Sequence, residues 1–211
     1  MTRLPILPIA LLLTLAGCGT PQIARPYETK KYVPEELAAA LASDNPADRA
    51  DAAEQILAME PDARKMALIE LTGDPKPGVR LMAVGLLGKH HAAEEDVVAT
   101  LADDVMLDAD ADVRVAALAA LAESGRPDGL AAISAALMDD PALVVRREAA
   151  SLLDRLTGQT TGAEFTAMVD DALEKADDAA MAYDDWIETN REKLRWDAGK
   201  ARYILDAEVT E

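Results

Sequence analysis

The sequence predicts an all-α fold in which short amphipathic helices pack in pairs along the chain. Half of the residues are apolar but only 3% are aromatic, so the core has to be built from Ala, Leu, Val and Met. Between residues 34 and 157 an arginine-centred pattern recurs at nearly constant spacing. Each copy follows a turn that contains Asp, Asn or Pro, residues that are typical of the start of a helix.

Residues 1–17 have the features of a secretory signal peptide. Arg3 precedes an almost wholly apolar run at 4–15, and the small residues Ala16 and Gly17 follow. The run has about 12 residues, whereas a membrane-spanning helix needs about 20. We therefore predict an export signal and no permanent transmembrane helix.

Cys18 is the only cysteine of the chain, and it follows Leu15, Ala16 and Gly17. This four-residue stretch resembles the lipobox of bacterial lipoproteins. The resemblance implies that the preceding peptide is removed, that Cys18 carries lipid, and that the new amino terminus receives a fatty acyl group such as palmitate. More than one acyl chain makes membrane attachment effectively stable. Since there is no second thiol, the exported part has to be held together by packing.

Residues 18–33 are predicted to form the lipidated, flexible tether, because they show no apolar period and contain Pro21 and Pro26. The formal net charge of −18 argues against nucleic acid as a partner, since phosphates would be repelled. A soluble, self-repelling surface explains the acidity, and a specific basic partner or cation is the alternative.

Four arginines mark the repeat: Arg49, Arg80, Arg114 and Arg146 are separated by 31, 34 and 32 residues. An alanine lies three residues after each arginine, and Ile or Leu lies seven residues after it. Together with the Val before three of the arginines, these positions share one face of a helix with 3.6 residues per turn. A second amphipathic stretch precedes each turn, at 34–43, 61–72, 93–107 and 127–138. The pattern therefore predicts four helix pairs.

The Asp/Pro turn, the Val-Arg pair, the Ala three residues later and the Leu four beyond it resemble the HEAT repeat, particularly the short variety of the phycobilin lyases. The resemblance covers residues 34–157. It implies an α-solenoid of about four helix pairs, each stacked on the next around a continuous core. It also implies that the Val-Arg helices line the concave surface. The arginines are expected to pair with turn carboxylates of adjacent repeats.

Residues 158–211 depart from the repeat and are predicted to form a C-terminal cap. Its helix, or two adjoining helices, is expected at 163–193, with an apolar stripe of Phe165, Met168, Val169, Leu173, Met181, Trp186 and Ile187. A short β-hairpin is expected next, with Leu194, Trp196, Tyr203 and Leu205 on one face and a turn at 197–200. Trp186, Trp196 and Tyr203 either close the end of the solenoid or form a binding surface.

No catalytic, metal or cofactor site is predicted. The acidic run 108–112 imitates the start of a calcium loop, but Val113 and Ala119 replace the glycine and the last carboxylate of such a loop. His90 and His91 are adjacent and point about 100° apart on a helix, which disfavours a shared metal ion. No phosphate-binding glycine loop or activated nucleophile is visible, and no small-molecule substrate is indicated.

The predicted function is a lipid-anchored scaffold of the cell envelope that binds a protein or peptide. The face opposite the core falls two, five and nine residues after each arginine and is small and apolar at its centre. In the three closest copies it contains Met82, Gly85, Lys89, Ala116, Ala119, Glu123, Glu148, Ser151 and Arg155. The alternatives are a passive structural envelope lipoprotein and an accessory subunit of a lyase-like enzyme. Gly19 after the cysteine favours the outer membrane over the inner one.

Overall fold

The computed structural model describes residues 32–159 and 172–206 of the protein. The predicted signal peptide, Cys18, the tether up to residue 31 and the predicted helical positions Phe165, Met168 and Val169 lie outside the described residues. The helices are α1 (Glu35–Leu41), α2 (Pro46–Leu57), α3 (Pro61–Leu71), α4 (Pro77–His91), α5 (Glu95–Ala99), α6 (Ala111–Glu123), α7 (Pro127–Asp139), α8 (Leu143–Thr157) and α9 (Ala172–Asn190). Two short strands follow, β1 (Leu194–Asp197) and β2 (Arg202–Leu205). The prediction of a mainly helical chain is confirmed.

Local sequence explains where most helices begin. Proline occupies the first position of four helices, at Pro46, Pro61, Pro77 and Pro127, where its missing N–H costs no helical hydrogen bond. The side chain of Asn45 accepts the N–H of Ala47 at the start of α2, and Asp110 accepts that of Asp112 at the start of α6. These two residues act as the helix caps that the sequence predicts.

The stretch predicted as one amphipathic helix at 93–107 is irregular. After α5 the chain forms a wider π-helical turn at Thr100–Asp104 and a 3-10 turn at Val105–Leu107. The apolar side chains still reach the core, since Val97, Val98, Leu101 and Val105 are all buried. Leu107, at the end of the irregular stretch, is 83% exposed.

The Val-Arg helices pack directly on one another: α4 contacts α6, and α6 contacts α8. The outer helices α3 and α7 pack against α4 and α8 respectively. The predicted core positions are buried, namely Ala52, Ile56, Ala83, Leu87, Ala117, Leu121, Ala149 and Leu153. At Gly88 the helices α4 and α6 approach so closely that an added Cβ would lie 2.7 Å from the Cβ of Ala120. Small side chains therefore set the distance between neighbouring helices.

The C-terminal helix α9 packs against α7 and α8. From residue 177 onward, where its side chains are described, Ala179, Ala180, Tyr183 and Ile187 are buried, and the Tyr183 hydroxyl donates a hydrogen bond to Asp154 of α8. The predicted stripe residue Leu173 lies outside the described side chains. Met181 was predicted to belong to the apolar stripe, but it is 55% exposed. That prediction is wrong because the buried positions recur every three or four residues from 179 and 180, which turns residue 181 outward.

The two strands form the predicted antiparallel hairpin, in which Leu194 pairs with Leu205 and Trp196 with Tyr203. The rings of Trp196 and Tyr203 meet edge to face, with centroids 5.2 Å apart. Trp196 also lies against Gly125, whose φ of 63° suits glycine and whose added Cβ would lie 2.7 Å from the indole ring. The hairpin is therefore anchored on the turn between α6 and α7.

Packing begins before the predicted boundary at residue 34. Val33, placed in the tether by the sequence analysis, is buried with 2% of its surface exposed. The N–H of Tyr32 donates to the carboxylate of Glu70 at 2.6 Å. Both residues belong to the packed structure, because an apolar contact and a hydrogen bond to α3 hold them there.

Candidate functional site

The amino-terminal ends of α4, α6 and α8 are connected by a ladder of two ion pairs, defined as Arg80–Asp108 and Arg114–Asp140. A further pair, Arg146–Asp177, joins α8 to α9. The Nε and Nη2 atoms of Arg80 donate to the two carboxylate oxygens of Asp108 at 2.6 and 2.7 Å. Arg114 makes the equivalent pair of bonds to Asp140 at 2.8 Å each. These hydrogen bonds raise the pKa of both guanidinium groups. The prediction that the arginines pair with carboxylates of adjacent turns is confirmed for Arg80 and Arg114. Arg146 instead pairs with Asp177 within α9, and Arg49 donates to the carbonyls of Ser43 and Asp44.

The turn aspartates also close the turns in which they lie. Asp74 accepts the N–H of Lys76 at 2.9 Å, and Asp140 accepts the N–H of Ala142 at 2.8 Å. Neither aspartate caps a helix, because α4 and α8 begin after Lys76 and Ala142 without a side-chain cap. The expectation of capping aspartates is wrong at these two turns. The carboxylates are used instead for turn closure and, in Asp140, for the ladder.

The ladder sets α4, α6 and α8 side by side, and the predicted binding face is largely open to solvent. Six of its residues are exposed, namely Gly85, Lys89, Ala119, Glu123, Ser151 and Arg155. The other three, Met82, Ala116 and Glu148, are half-buried. The helical period therefore predicted correctly that these nine residues lie outside the fully buried core.

Part of this face forms an open groove of about 900 Å³ between α4 and α6. Five of the predicted residues line it: Gly85, Lys89, Ala116, Ala119 and Glu123. Gly88 and Ala120 complete its floor. The floor thus consists of glycine and alanine alone, while Lys89 and Glu123 carry charges at the margin.

The remaining predicted residues, Met82, Glu148, Ser151 and Arg155, do not line the groove. A single exposed ion pair connects α8 to it, with 3.7 Å between Arg155 Nη2 and Glu123 Oε1. Such pairs contribute at most about 1 kcal/mol, so this connection is weak. Only the part of the predicted face that lies on α4 and α6 therefore forms the groove.

Two exposed apolar residues on the same helices escaped the sequence analysis. Leu81 is 41% exposed and Val144 is 53% exposed. Each lies four residues before a predicted face residue, Gly85 and Glu148, so they share the same helical side. The rule of two, five and nine residues after the arginine missed them because it samples only the centre of the face. They extend the apolar surface toward the amino-terminal ends of the helices.

Residues 90–94 form a wall of the groove that the sequence analysis also missed. His91 is buried, with 4% of its surface exposed. Its Nε2 accepts a hydrogen bond from Nε of Arg64 at 3.2 Å, and its Nδ1 lies 2.6 Å from Oε1 of Glu94. The ring therefore carries its proton on Nδ1 and donates it to Glu94. No spacing rule could reveal this contact, because Arg64 lies 27 residues earlier on α3.

Lys65 links the same wall to α5. Its Nζ lies 2.8 Å from Glu94 Oε2 and 2.7 Å from Asp96 Oδ2. Hydrogen bonding to Lys65 is the main cause that lowers the pKa of both carboxyl groups, and His91 contributes to the lowering at Glu94. The pKa of His90, the exposed neighbour, is lowered by partial loss of hydration and then by the charge of Arg64.

The aromatic pair at the C-terminal end faces the protein. Tyr203 is 5% exposed, and its burial raises the pKa of the phenol. Trp196 is half-buried between Tyr203 and Gly125. Because both rings are used in packing, this geometry favours closure of the helical array over an open aromatic binding surface.

Two carboxylates of the acidic run 108–112, which imitates the start of a calcium loop, make hydrogen bonds within the protein. Asp108 accepts two bonds from Arg80, and Asp110 accepts the N–H of Asp112. Among the residues that the structure describes, no three or more His, Cys, Asp or Glu side chains are grouped so that they could hold a metal ion.

The fold and the groove together define a mainly helical protein with an open, small-residue surface on its Val-Arg helices. Comparisons of the chain with protein-family models, with curated proteins and with solved structures gave no match. In the described ranges 32–159 and 172–206, none of the helices combines the length and the apolar character needed to cross a membrane.

Proposed function

We propose that the protein is a lipid-anchored, HEAT-like solenoid scaffold that binds a segment of another exported protein in the groove between α4 and α6. The groove is the observation that carries the proposal, because its floor is built of glycine and alanine and two of these residues, Gly85 and Ala119, are exposed. The chain's net charge of −18 favours a partner segment of net positive charge, whose contact face is small and apolar.

Two observations support the solenoid arrangement. The helices α4, α6 and α8 contact one another in chain order, with α3 beside α4, the irregular turns at Thr100–Leu107 beside α6, and α7 beside α8. The Arg80–Asp108 and Arg114–Asp140 pairs repeat the same bidentate geometry from one turn to the next. A repeated link between successive units is what stacking of helix pairs requires.

Gly85 supports the use of the groove for binding. Glycine within a helix destabilises it by about 1 kcal/mol relative to alanine. An added Cβ at Gly85 would meet no atom within 4 Å, so packing inside the described structure does not require glycine here. A missing side chain at this point instead lets the backbone of a partner helix or extended peptide approach α4 closely.

The anchor is proposed from the sequence around Cys18. Removal of residues 1–17 and acylation of Cys18 would attach the chain to a bacterial membrane, with the outer membrane favoured. Substitution of Cys18 by Ser is expected to abolish labelling with radioactive palmitate and to move the protein from the detergent phase to the aqueous phase. Unchanged partitioning of this variant would contradict the anchor.

The groove is tested with one substitution and a matched control. Ala119→Glu places a charged side chain on the groove floor, whereas Ala135→Glu makes the same change at an exposed position of α7. After crosslinking in intact cells, the native chain and the α7 variant are expected to give the same discrete crosslinked species. The groove variant is expected to lose at least about 90% of it, since an uncompensated charge in a small-residue contact costs more than 1.4 kcal/mol.

Thermal melts of the two variants show whether the fold survives, because both residues are exposed. An equal yield of the crosslinked species from Ala119→Glu and Ala135→Glu would remove the groove as the binding site. A passive envelope spacer predicts a different result, namely no discrete crosslinked species from any of the three chains.

A further inference from the structure

One wall of the groove is held by a contact that requires a neutral histidine. Nε2 of His91 accepts the N–H of Arg64 at 3.2 Å, while Nδ1 and Glu94 lie 2.6 Å apart. The Nε2 lone pair exists only in the neutral ring. Arg64 cannot change its role, because a guanidinium has only donors and keeps its proton in proteins.

We propose that Arg64, His91 and Glu94 form a pH-sensitive latch on the groove. When His91 takes up a proton, an N–H at Nε2 faces the N–H of Arg64, and the hydrogen bond between α3 and the end of α4 is lost. The wall at 90–94 is then released, and the groove changes shape. The inference that the latch regulates partner binding rests on the proposed function of the groove. The structural change itself does not depend on that function.

The charged groups around the His91 ring favour loss of the contact with Arg64 over its replacement by a contact with another residue. The cationic or basic groups near His91 are Arg64 and Lys65 on α3 and Lys89 and His90 on α4. The carboxylates are Glu94, Asp96 on α5 and, across the groove, Glu123 on α6.

Glu94 accepts from Nδ1 and remains the partner of that nitrogen in the protonated ring, although Glu94 is shared with Lys65. The second ring proton sits on Nε2, which faces the N–H of Arg64 in a buried position. Two donors that face each other cannot form a hydrogen bond, so the guanidinium or the wall has to move.

Hydrogen exchange of the full chain at pH 7.5 and pH 5.5, corrected for intrinsic rates, tests the latch without any partner. In the native chain, protection of amides at 89–99 is expected to fall about tenfold at the lower pH, since a hydrogen bond to a charged group is lost. Unchanged protection would overturn the proposal.

Two substitutions show which histidine causes the change in protection with pH, because the chain contains only two histidines. His91→Gln offers an acceptor to Arg64 and a donor to Glu94 but does not titrate, so its protection is expected to be equal at both pH values. His90→Gln changes the exposed neighbour and is expected to retain the tenfold fall. An identical fall in His91→Gln would exclude His91 as the sensor.

A third variant separates the latch from a general acid effect. Arg64→Met removes the donor, so the wall is expected to exchange about tenfold faster already at pH 7.5 and to show little further change at pH 5.5. A full pH response in this variant would contradict the latch. The crosslinking result for Ala119→Glu is independent of these measurements, so failure of the latch and failure of the groove can be told apart.

Discussion

The helices α4, α6 and α8 are built differently at their two ends. At the amino-terminal ends of α4 and α6 the arginines repeat one arrangement: Nη1 of Arg80 donates to the carbonyl of Asp74 at 3.0 Å, and Nη1 of Arg114 donates to that of Asp108 at 2.7 Å. Arg146 of α8 departs from it, since its Nε donates to the carbonyl of Leu137. At the carboxyl-terminal ends α4 differs from the other two helices. α6 and α8 are each followed by a glycine with a left-handed backbone, Gly125 and Gly158, whereas α4 ends at the His91 contact.

This difference separates two tasks along the same helices. The repeated end joins neighbouring helices through ion pairs that are buried or nearly so. The carboxyl-terminal end of α4 differs from those of α6 and α8, and the groove wall at 90–94 lies there. We infer that stacking depends on the first end and recognition on the second.

The ladder is expected to give the largest effect. Arg114 and Asp140 are both buried, so Asp140→Ala leaves a guanidinium without its carboxylate. Loss of one partner of a buried pair costs about 3–5 kcal/mol of the free energy of unfolding, measured by urea denaturation. Ser43 takes the corresponding place in the first turn, where its Oγ accepts the N–H of Asn45 in an exposed setting.

Ser43→Ala is the control for that measurement, and it is expected to cost less than about 1 kcal/mol because water can replace the lost bond. Arg49 in this first repeat donates to the carbonyls of Ser43 and Asp44. Similar losses for Asp140→Ala and Ser43→Ala would mean that the buried ladder is not what holds the helices together.

A second pair of substitutions distinguishes the packed side of α4 from its open side. Gly88→Ala would place a methyl group 2.7 Å from the Cβ and 3.0 Å from the Cα of Ala120. Separation of α4 from α6 to relieve this clash is expected to cost about 1–3 kcal/mol. Gly85→Ala meets no atom within 4 Å and is expected to stabilise the helix by about 0.5–1 kcal/mol.

The two glycines therefore predict shifts of opposite sign in thermal melts, although they lie one helical turn apart. Stabilisation by Gly88→Ala would show that α4 and α6 are less closely packed than described. If Gly85→Ala stabilises the fold but weakens crosslinking to the partner, glycine at this position serves binding.

The repeated end could be predicted from the sequence because its parts keep fixed offsets. Arg80 and Arg114 have the same kinds of residue around them in sequence, so one helical period predicts the helix face on which each arginine lies. The regularly spaced carboxylates that these arginines could bind are those of the Asp residues in the turns. What the period did not distinguish is whether such a carboxylate caps its own helix or pairs with the previous repeat. Asp110 caps a helix, whereas Asp140 binds Arg114.

The groove was predicted only in part, for a physical reason. Gly85 and Ala119 follow from the helical period, whereas the His91 contact depends on Arg64 of another helix and on Glu94 of a connecting segment. The π-helical turn after α5 similarly has no signal in the apolar spacing, since its apolar side chains still reach the core. Contacts made once, by residues far apart in sequence, leave no period to detect.

The smallest expected effect concerns Lys65 of α3, which contacts Glu94 and Asp96 just after the carboxyl-terminal end of α4. Its hydrogen bonds lower the pKa of Glu94 and Asp96 below their ordinary values of 4.5 and 3.8, so the unfolded chain takes up protons first as the solution is acidified. The stability that Lys65 provides is thus present above about pH 5 and is lost as the pH falls through the folded-state pKa values. The carboxylate side chains are 41% and 52% exposed, which limits this stability to about 1 kcal/mol.

Lys65→Met is therefore expected to lower the free energy of unfolding by at most about 1 kcal/mol at pH 7 and to flatten its decline between about pH 5 and pH 3. Lys89→Met makes the same change of charge at an exposed position of α4 and is expected to leave that decline unchanged. Equal pH profiles for the two variants would show that the net charge of the chain, and not the Lys65 contacts, governs acid stability. A loss as large as that of Asp140→Ala would contradict the difference between the two helix ends, because an exposed pair would then stabilise the fold as strongly as a buried one.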